Sequence, residues 1–290
     1  MQDTAAYLRD VVTALARGIG FRTYREIDRL EQAAQFISGQ FSSFGCHVTR
    51  QAFPFLGNTY HNIIAESRGT QRPEDILVIG AHYDTVRTTP GADDNASGVA
   101  GLLALAREFA GFRLDRTVRF AAFGLEEPPV FRTNNMGSYH YALSLKEKRE
   151  QVAGMICLEM IGYFCDREGC QHYPIPFMSV KFPKSGNYIS FVGNLGSKTF
   201  TKTFAENFQN SSGLSVVTLN APPVVLGIDF SDHWSFHKFG YKAFMVTDTA
   251  FYRNPHYHAP SDLPETLDFR RMAKVVEGLA GAVKEWGRLE

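Results

Sequence analysis

The stretch "GADDNASGVAGLL" (residues 91–103) sets two adjacent carboxylates, Asp93 and Asp94, directly before an apolar run. Adjacent acids repel, and an acid beside a buried element is costly unless a positive charge or hydrogen bonds satisfy it. Four other segments, far apart in the chain, carry residue types that could answer that need. They are His82 in "GAHYDTV", Glu126 and Glu127 in "FAAFGLEE", Glu159 in "ICLEMIGY" and His258 in "NPHYHAPSD". Neutral imidazole and carboxylate oxygen form a borderline-hard donor set that suits zinc, with cobalt or manganese as substitutes. Asp84, two residues past His82, points the same way along an extended chain and can take the proton on the other imidazole nitrogen. Asp262, four residues past His258, could do the same or cap the turn before Pro264. Each piece alone is weak: an "EE" pair is usually solvated surface, and a histidine at a strand end is usually a satisfied polar group. Glu159 is harder to dismiss, because its neighbours "MICL" and "MIGYF" are apolar and a buried unpaired carboxylate is expensive.

Such distant residues meet only if the fold brings strand ends to one rim. Residues 3–44 read as two helices, with Leu8, Val11, Val12, Leu15 and then Ile27, Leu30, Ala34, Ile37, Phe41 at helical spacing. Strands are expected at "HVTRQAF", "YHNIIAES", "DILVIGAH", "TVRFAAFG", "VAGMICLEMIGY", "NYISFVGN", "SVVTLN" and "KAFMVTD". Helices are expected over Ser97–Phe109, "MGSYHYALSLKEK", "KTFTKTFAENFQ", "SDHWSFHKFG" and Leu267–Trp286. Strands alternating with helices predict an α/β fold, a three-layer α/β/α sandwich around a mixed, largely parallel sheet. No linker-like composition divides residues 1–290, so one domain is expected, with the helices of residues 3–44 packed on it. In such sheets ligands gather beyond the carboxyl ends of strands. His82, Glu126, Glu127 and Glu159 fall at strand ends, and Asp94 and His258 in the loops that follow.

Composition narrows the partners. Thirty basic and thirty acidic side chains cancel, which gives no electrostatic reason to expect nucleic acid or an anionic membrane surface. No apolar run approaches the roughly 20 residues that span a bilayer. The start "MQDTAAYLRD" carries no charged-then-apolar leader, which reads as cytoplasmic; a periplasmic or secreted chain whose leader had been removed would begin the same way. Cys46 and Cys157 sit among apolar neighbours as small hydrophobes. Cys165 and Cys170 flank "DREG", and a disulfide across that turn would argue against the cytoplasm.

The ordered set "GAHYDTV", "PGADDNASGVAGLLALA", "FAAFGLEE", "LEMIGY", "SDHWSFHKFGY" and "NPHYHAPSD" resembles the zinc aminopeptidases of metallopeptidase family 28 over roughly residues 60–285. That family includes leucyl-type aminopeptidases, glutamate carboxypeptidase-like enzymes and glutaminyl cyclases. The resemblance implies a zinc-exopeptidase-like fold and a peptide substrate. It also implies two zinc ions per chain: Asp94 bridging both, Glu127 and His258 completing one, His82 and Glu159 the other. Glu126 would be the general base, Asp84 the partner of His82, and the Asp94–Asn95 peptide cis. Two positions depart from the family pattern. Glu159 stands where an aspartate is frequent, and Ile228 stands where better known members place a tyrosine that stabilises the tetrahedral intermediate. His233, Tyr252 and His256 are candidates for that donor.

The intact His82 and full "GADDNASG" loop favour the two-metal aminopeptidase over a single-zinc glutaminyl cyclase. A carboxypeptidase or dipeptidase is also open, since Arg253 could grip a substrate carboxylate, although a structural ion pair is its commoner use. "VGNLGSKTF" lacks the phosphate-loop spacing, and Ser197 reads instead as a helix N-cap. A domain keeping the fold without activity would lack a ligand, and none is missing. His47, His61, His140 and His172 lie away from the motifs and read as ordinary polar residues. His237, Trp234, Phe236 and Phe239 read as helix packing.

Overall fold

The computed structural model describes residues 3–289, with Pro176 by its backbone alone. The strands are β1 (His47–Phe55), β2 (Asn58–Ser67), β3 (Arg72–His82), β4 (Arg116–Phe123), β5 (Gln151–Glu159), β6 (Ile189–Gly193), β7 (Val216–Asn220) and β8 (Ala243–Thr247). They form one eight-stranded sheet in the order β1-β2-β4-β3-β5-β8-β6-β7. The centre, β4-β3-β5-β8, is parallel. The β1-β2 hairpin adds antiparallel to β4, and β6 runs antiparallel to β8, so the sheet is mixed as expected.

Burial explains why the central strands read as apolar runs. The last seven residues of β3 and the last six of β5 are buried, because helices cover both faces. Alternate side chains serve opposite layers. Leu77, Ile79 and Ala81 pack with α1 (Thr4–Thr13), α2 (Ile27–Ser43), α3 (Gly98–Phe109), α5 (Lys198–Ser211) and α7 (Phe269–Gly287). Ile76 and Val78 pack with α4 (Gly137–Glu147) and α6 (His233–Lys238). The α1 helix runs on through a π-helical turn over Ala14–Ile19 before α2 begins.

Local details follow the chemistry of helix ends. Asp268 caps α7 by accepting from the N–H groups of Arg270 and Arg271. Ser197 stands at the N-cap position of α5, as the sequence suggested, but its side chain makes no capping bond; Asn194 caps the short turn before it, its side chain accepting from Ser197 N–H at 2.9 Å. The Ser197 hydroxyl is turned inward, where it accepts from Ala243 N–H at 3.0 Å. Cys165 and Cys170 are joined by a disulfide, Cys157 is buried and Cys46 half-buried. Among the described residues no helix is long and apolar enough to cross a membrane.

Candidate metal centre

The neighbouring parallel strands β3 and β5 end on His82 and Glu159. Their side chains meet, with His82 Nε2 3.1 Å from Glu159 Oε2. The other ring nitrogen, Nδ1, lies 3.2 Å from Asp84 Oδ1. Glu159 Oε2 also accepts from the Ser231 hydroxyl at 2.6 Å, and Ser231 Oγ lies 3.1 Å from Cys157 Sγ. His82 has no exposure at all.

Asp84 does a second thing that spacing alone did not reveal. Its carboxylate accepts the backbone N–H of Glu126 at 2.9 and 3.1 Å and that of Glu127 at 3.1 Å. Leu125, in the left-handed region at φ 55°, starts the turn that aims these amides inward. A strand would send successive side chains to opposite faces. Here the turn puts both Glu126 and Glu127 on the wall of one pocket.

The opening acid pair divides its work. Asp93 turns away and accepts from Gly162 N–H at 2.9 Å and from the Asn254 amide at 2.7 Å. Asp94 faces the histidines: its Oδ1 is 3.5 Å from His82 Nε2, and its Oδ2 is 3.1 Å from His258 Nε2. His258 Nε2 is in turn 3.5 Å from Glu127 Oε2. Asp262 neither orients His258 nor caps the turn before Pro264. It accepts the backbone N–H groups of Asp93 at 2.8 Å and Asp94 at 3.1 Å, satisfying the acid pair from behind. The Asp94–Asn95 peptide is cis. The Asn95 side chain then bonds Leu158 O at 2.9 Å and Met160 N–H at 3.1 Å, tying this loop to the end of β5.

Five carboxyls this deeply buried, those of Asp84, Asp94, Glu126, Glu127 and Glu159, need a counter-charge. Burial drives the Glu126 carboxyl well above its usual range and Glu127 up to about 8, with neighbouring acids adding to both. For His258 burial acts the other way, but Asp94 and Glu127 outweigh it and raise the imidazole to about 10. Glu127 Oε1 is buried with no hydrogen-bond partner among the described residues. The donor set fits a metal. Around a tetrahedral zinc with bonds of about 2.0–2.2 Å, neighbouring donors stand roughly 3.3–3.6 Å apart. The four histidine–carboxylate separations involving Asp94, Glu127 and Glu159 are 3.1, 3.1, 3.5 and 3.5 Å. Donor atoms of His82, Asp94 and Glu127 all lie within 4.8 Å of one another.

Residues 62–283 match the family described as Peptidase family M28. The chain belongs to peptidase family M28. It is 41% identical to YfbL of Escherichia coli (strain K12), over 94% of this chain and 85% of that one. It is 27% identical to aminopeptidase YwaD of Bacillus subtilis, over 80% of this chain but 46% of the relative, so the chain spans about half the length of that aminopeptidase. Among solved structures it resembles BSAP, a zinc aminopeptidase from Bacillus subtilis, with a TM-score of 0.79 at 17% identity over 98% of this chain and 95% of that one. A glutaminyl cyclase from Bacteroides thetaiotaomicron shares the fold at a TM-score of 0.73 and 15% identity, over 97% of each chain. These structural likenesses show the fold, and the family makes the protein a hydrolase acting on peptide bonds.

In this M28 chain the seven site residues converge at one rim, and all but His82 and Asp84 line a pocket enclosing about 1130 Å³, open mouth included. Much of the remaining lining is apolar and includes Val192, Val217, Leu219, Met245, Phe131 and Phe230. Of the three candidate oxyanion donors, Tyr252 lines this pocket, whereas His233 and His256 do not. His233 is buried against Ile228 O at 2.6 Å, and His256 is held by Ser261 Oγ at 2.9 Å. Sequence reasoning missed Tyr257, whose ring stacks on His258 with centroids 3.8 Å apart and which also lines the pocket. Its place directly before His258 was the available signal. His172, read as an ordinary polar residue, also lines the pocket. Arg253 is engaged within the fold, though by neutral acceptors and not by the expected ion pair: Nε donates to Gln171 Oε1 and Nη1 to Tyr188 O, both at 2.8 Å. His47 is exposed, His61 lies against Arg50, and His140 stacks on Phe53.

Proposed function

We propose that this chain is a zinc-dependent aminopeptidase that releases residues from free N-termini with two metal ions held side by side. The observation that carries the reading is Asp94, whose two oxygens face two different histidines, each also faced by a second carboxylate. His82, Glu159 and Asp94 would hold one ion, and His258, Glu127 and Asp94 the other. Zinc bound there supplies Lewis-acid polarisation of the scissile carbonyl and activation of the attacking water.

The chain's own groups do the rest. Glu126 is held by its backbone to Asp84 while its carboxylate lines the pocket. It takes the proton of the attacking water and returns it to the leaving amine nitrogen. Asp84 fixes the His82 tautomer and, through the two amides, the position of Glu126. Tyr257 offers a hydroxyl near Asp94, Glu127 and Glu159 as a donor to the developing oxyanion, in the role that Ile228 cannot fill. The acids of the lining suit a free α-ammonium group, and its apolar residues suit a large apolar first side chain. The aminopeptidase relative supports this choice. The Cys165–Cys170 disulfide supports an oxidising compartment.

The test pairs elemental analysis with a substrate panel. Near two zinc per chain, loss of activity on prolonged chelation with recovery on adding zinc, and cleavage of leucyl and phenylalanyl anilides but not their N-acetylated forms are expected. Equal rates on free and acetylated substrates would sink the aminopeptidase reading and promote an endo- or carboxypeptidase. One zinc with cyclisation of N-terminal glutamine would promote the cyclase, and full activity without metal would end the proposal.

A further inference from the structure

Arg22 is among the largest side chains with no exposure at all. It lies in the N-terminal segment, ahead of the residues matched to the family, and among the described residues it forms no carboxylate ion pair. Instead all five of its side-chain hydrogen bonds end on main-chain carbonyls. Nε donates to Tyr83 O at 2.8 Å; Nη1 donates to Leu15 O at 2.9 Å, Gly20 O at 2.7 Å and Pro90 O at 3.2 Å; Nη2 donates to Gly91 O at 3.5 Å. Its own backbone N–H donates to Thr85 Oγ1 at 2.9 Å, and Thr85 N–H returns a bond to Arg22 O at 3.3 Å.

These partners belong to three separate pieces of chain. Leu15 and Gly20 end the N-terminal helical segment. Tyr83 and Thr85 flank Asp84 in the turn that leaves β3 just after His82. Pro90 and Gly91 lead into the loop that presents Asp94. The join is tight at Gly91, where φ is +64° and an added Cβ would lie 2.4 Å from Asp94 O and 3.3 Å from Arg22 Nη2. A guanidinium satisfied only by carbonyls keeps its net charge for more distant groups. The groups close enough to feel it are Asp84, Asp262 and Asp94.

We propose that Arg22 is a positioning residue of the metal centre, clamping the β3 turn to the Asp94 loop and so setting the separation of His82 from Asp94. The inference rests on the two-metal reading. The guanidinium spreads its donors over three nitrogens of a rigid plane and so reaches carbonyls on different sides, whereas lysine has its three donors on one nitrogen and cannot reproduce that spread.

The experiment measures zinc affinity by competition with a fluorescent chelator, alongside the Tm of the metal-free protein. Arg22→Lys is expected to weaken zinc binding about 10- to 100-fold, as changes behind metal ligands do. Leu30→Ala, a cavity in the same helical layer, is expected to lower Tm while leaving zinc affinity unchanged. Thr85→Val removes one bond of the clamp and keeps the guanidinium, with an expected loss of about 3- to 10-fold. If Arg22→Lys lowers Tm as Leu30→Ala does but binds zinc like wild type, Arg22 is a structural brace and the proposal is wrong. Should Arg22→Lys fail to fold, wild-type affinity in Thr85→Val overturns it equally. A wild type that takes up no zinc removes the metal reading itself, and this inference with it.

Discussion

The two halves of the candidate centre are built differently. His82 and Glu159 end adjacent central strands, and each is bonded again from behind, by Asp84 and by Ser231. His258 and Glu127 stand on loops. The His258 backbone is left-handed at φ 55°, and its side chain is 31% exposed against 1% for His82. Its support is a stacked tyrosine ring, and Glu127 Oε1 has no hydrogen-bond partner among the described residues. The inner half is therefore fixed by sheet register before any cation arrives, whereas the outer half depends on the cation to complete it. We expect an inner ion held tightly and an outer ion that exchanges.

The largest effect should come from the residue between the halves. Glu126→Gln keeps size and removes basicity, so turnover should fall roughly 10²- to 10⁴-fold with zinc content intact. Glu127→Gln should lose the outer ion as well as rate. Near-normal turnover in Glu126→Gln, or equal zinc loss in the two variants, would break the division of labour.

Next in size is the affinity gap itself. Stepwise chelation of the wild type, followed by zinc content, should show two steps differing by about tenfold or more. His258→Ala should abolish the weaker step and His82→Ala the tighter one; a tighter step that survives His82→Ala would reverse the comparison. Asp84→Asn should weaken the inner ion about 10- to 100-fold and also lower kcat, because the same carboxylate holds Glu126. A change in zinc affinity with kcat untouched would show that its bonds to the Glu126 and Glu127 amides do not position the base.

The smallest effect is a pH slope in the metal-free protein. Burial first, with Asp94 next, raises Glu127 from 4.5 to about 8, while the Asp94 and Glu127 carboxylates outweigh burial to raise His258 from 6.5 to about 10. A raised folded pKa means that the folded state binds more protons, so this stability is full below the unfolded value and lost as pH rises through the folded one. The two groups share a 3.5 Å contact and titrate as a pair. The Tm of metal-free protein should therefore fall by a few degrees between about pH 6 and pH 9. Zinc should flatten that slope; an equal slope with zinc bound would separate the pair from the metal.

Much of this was legible in the chain. Apolar runs bounded by turns located central strands such as β3 and β5, because a strand covered on both faces must be apolar on both, and β-rich runs located the outer strands β1 and β7. An acid such as Glu159 inside an apolar run marked a site, because burying it uncompensated is costly. The sequence by itself thus determined the layers of the fold, the rim and the residue types that gather there. Only the tertiary structure decided how the acids divide their tasks. Asp93 and Asp94 are identical as letters, and one faces Asn254 while the other faces two histidines. Asp262 reads as a partner of His258 or a turn cap and instead satisfies the backbone of that pair. Arg22 belongs to no motif and drew no reading from the sequence, yet it lies buried among carbonyls of three segments. Periodicity is a local property, fixed by which face of an element meets the core. Hydrogen-bond partners drawn from residues far apart in the chain carry no local pattern, and only the folded arrangement selects them.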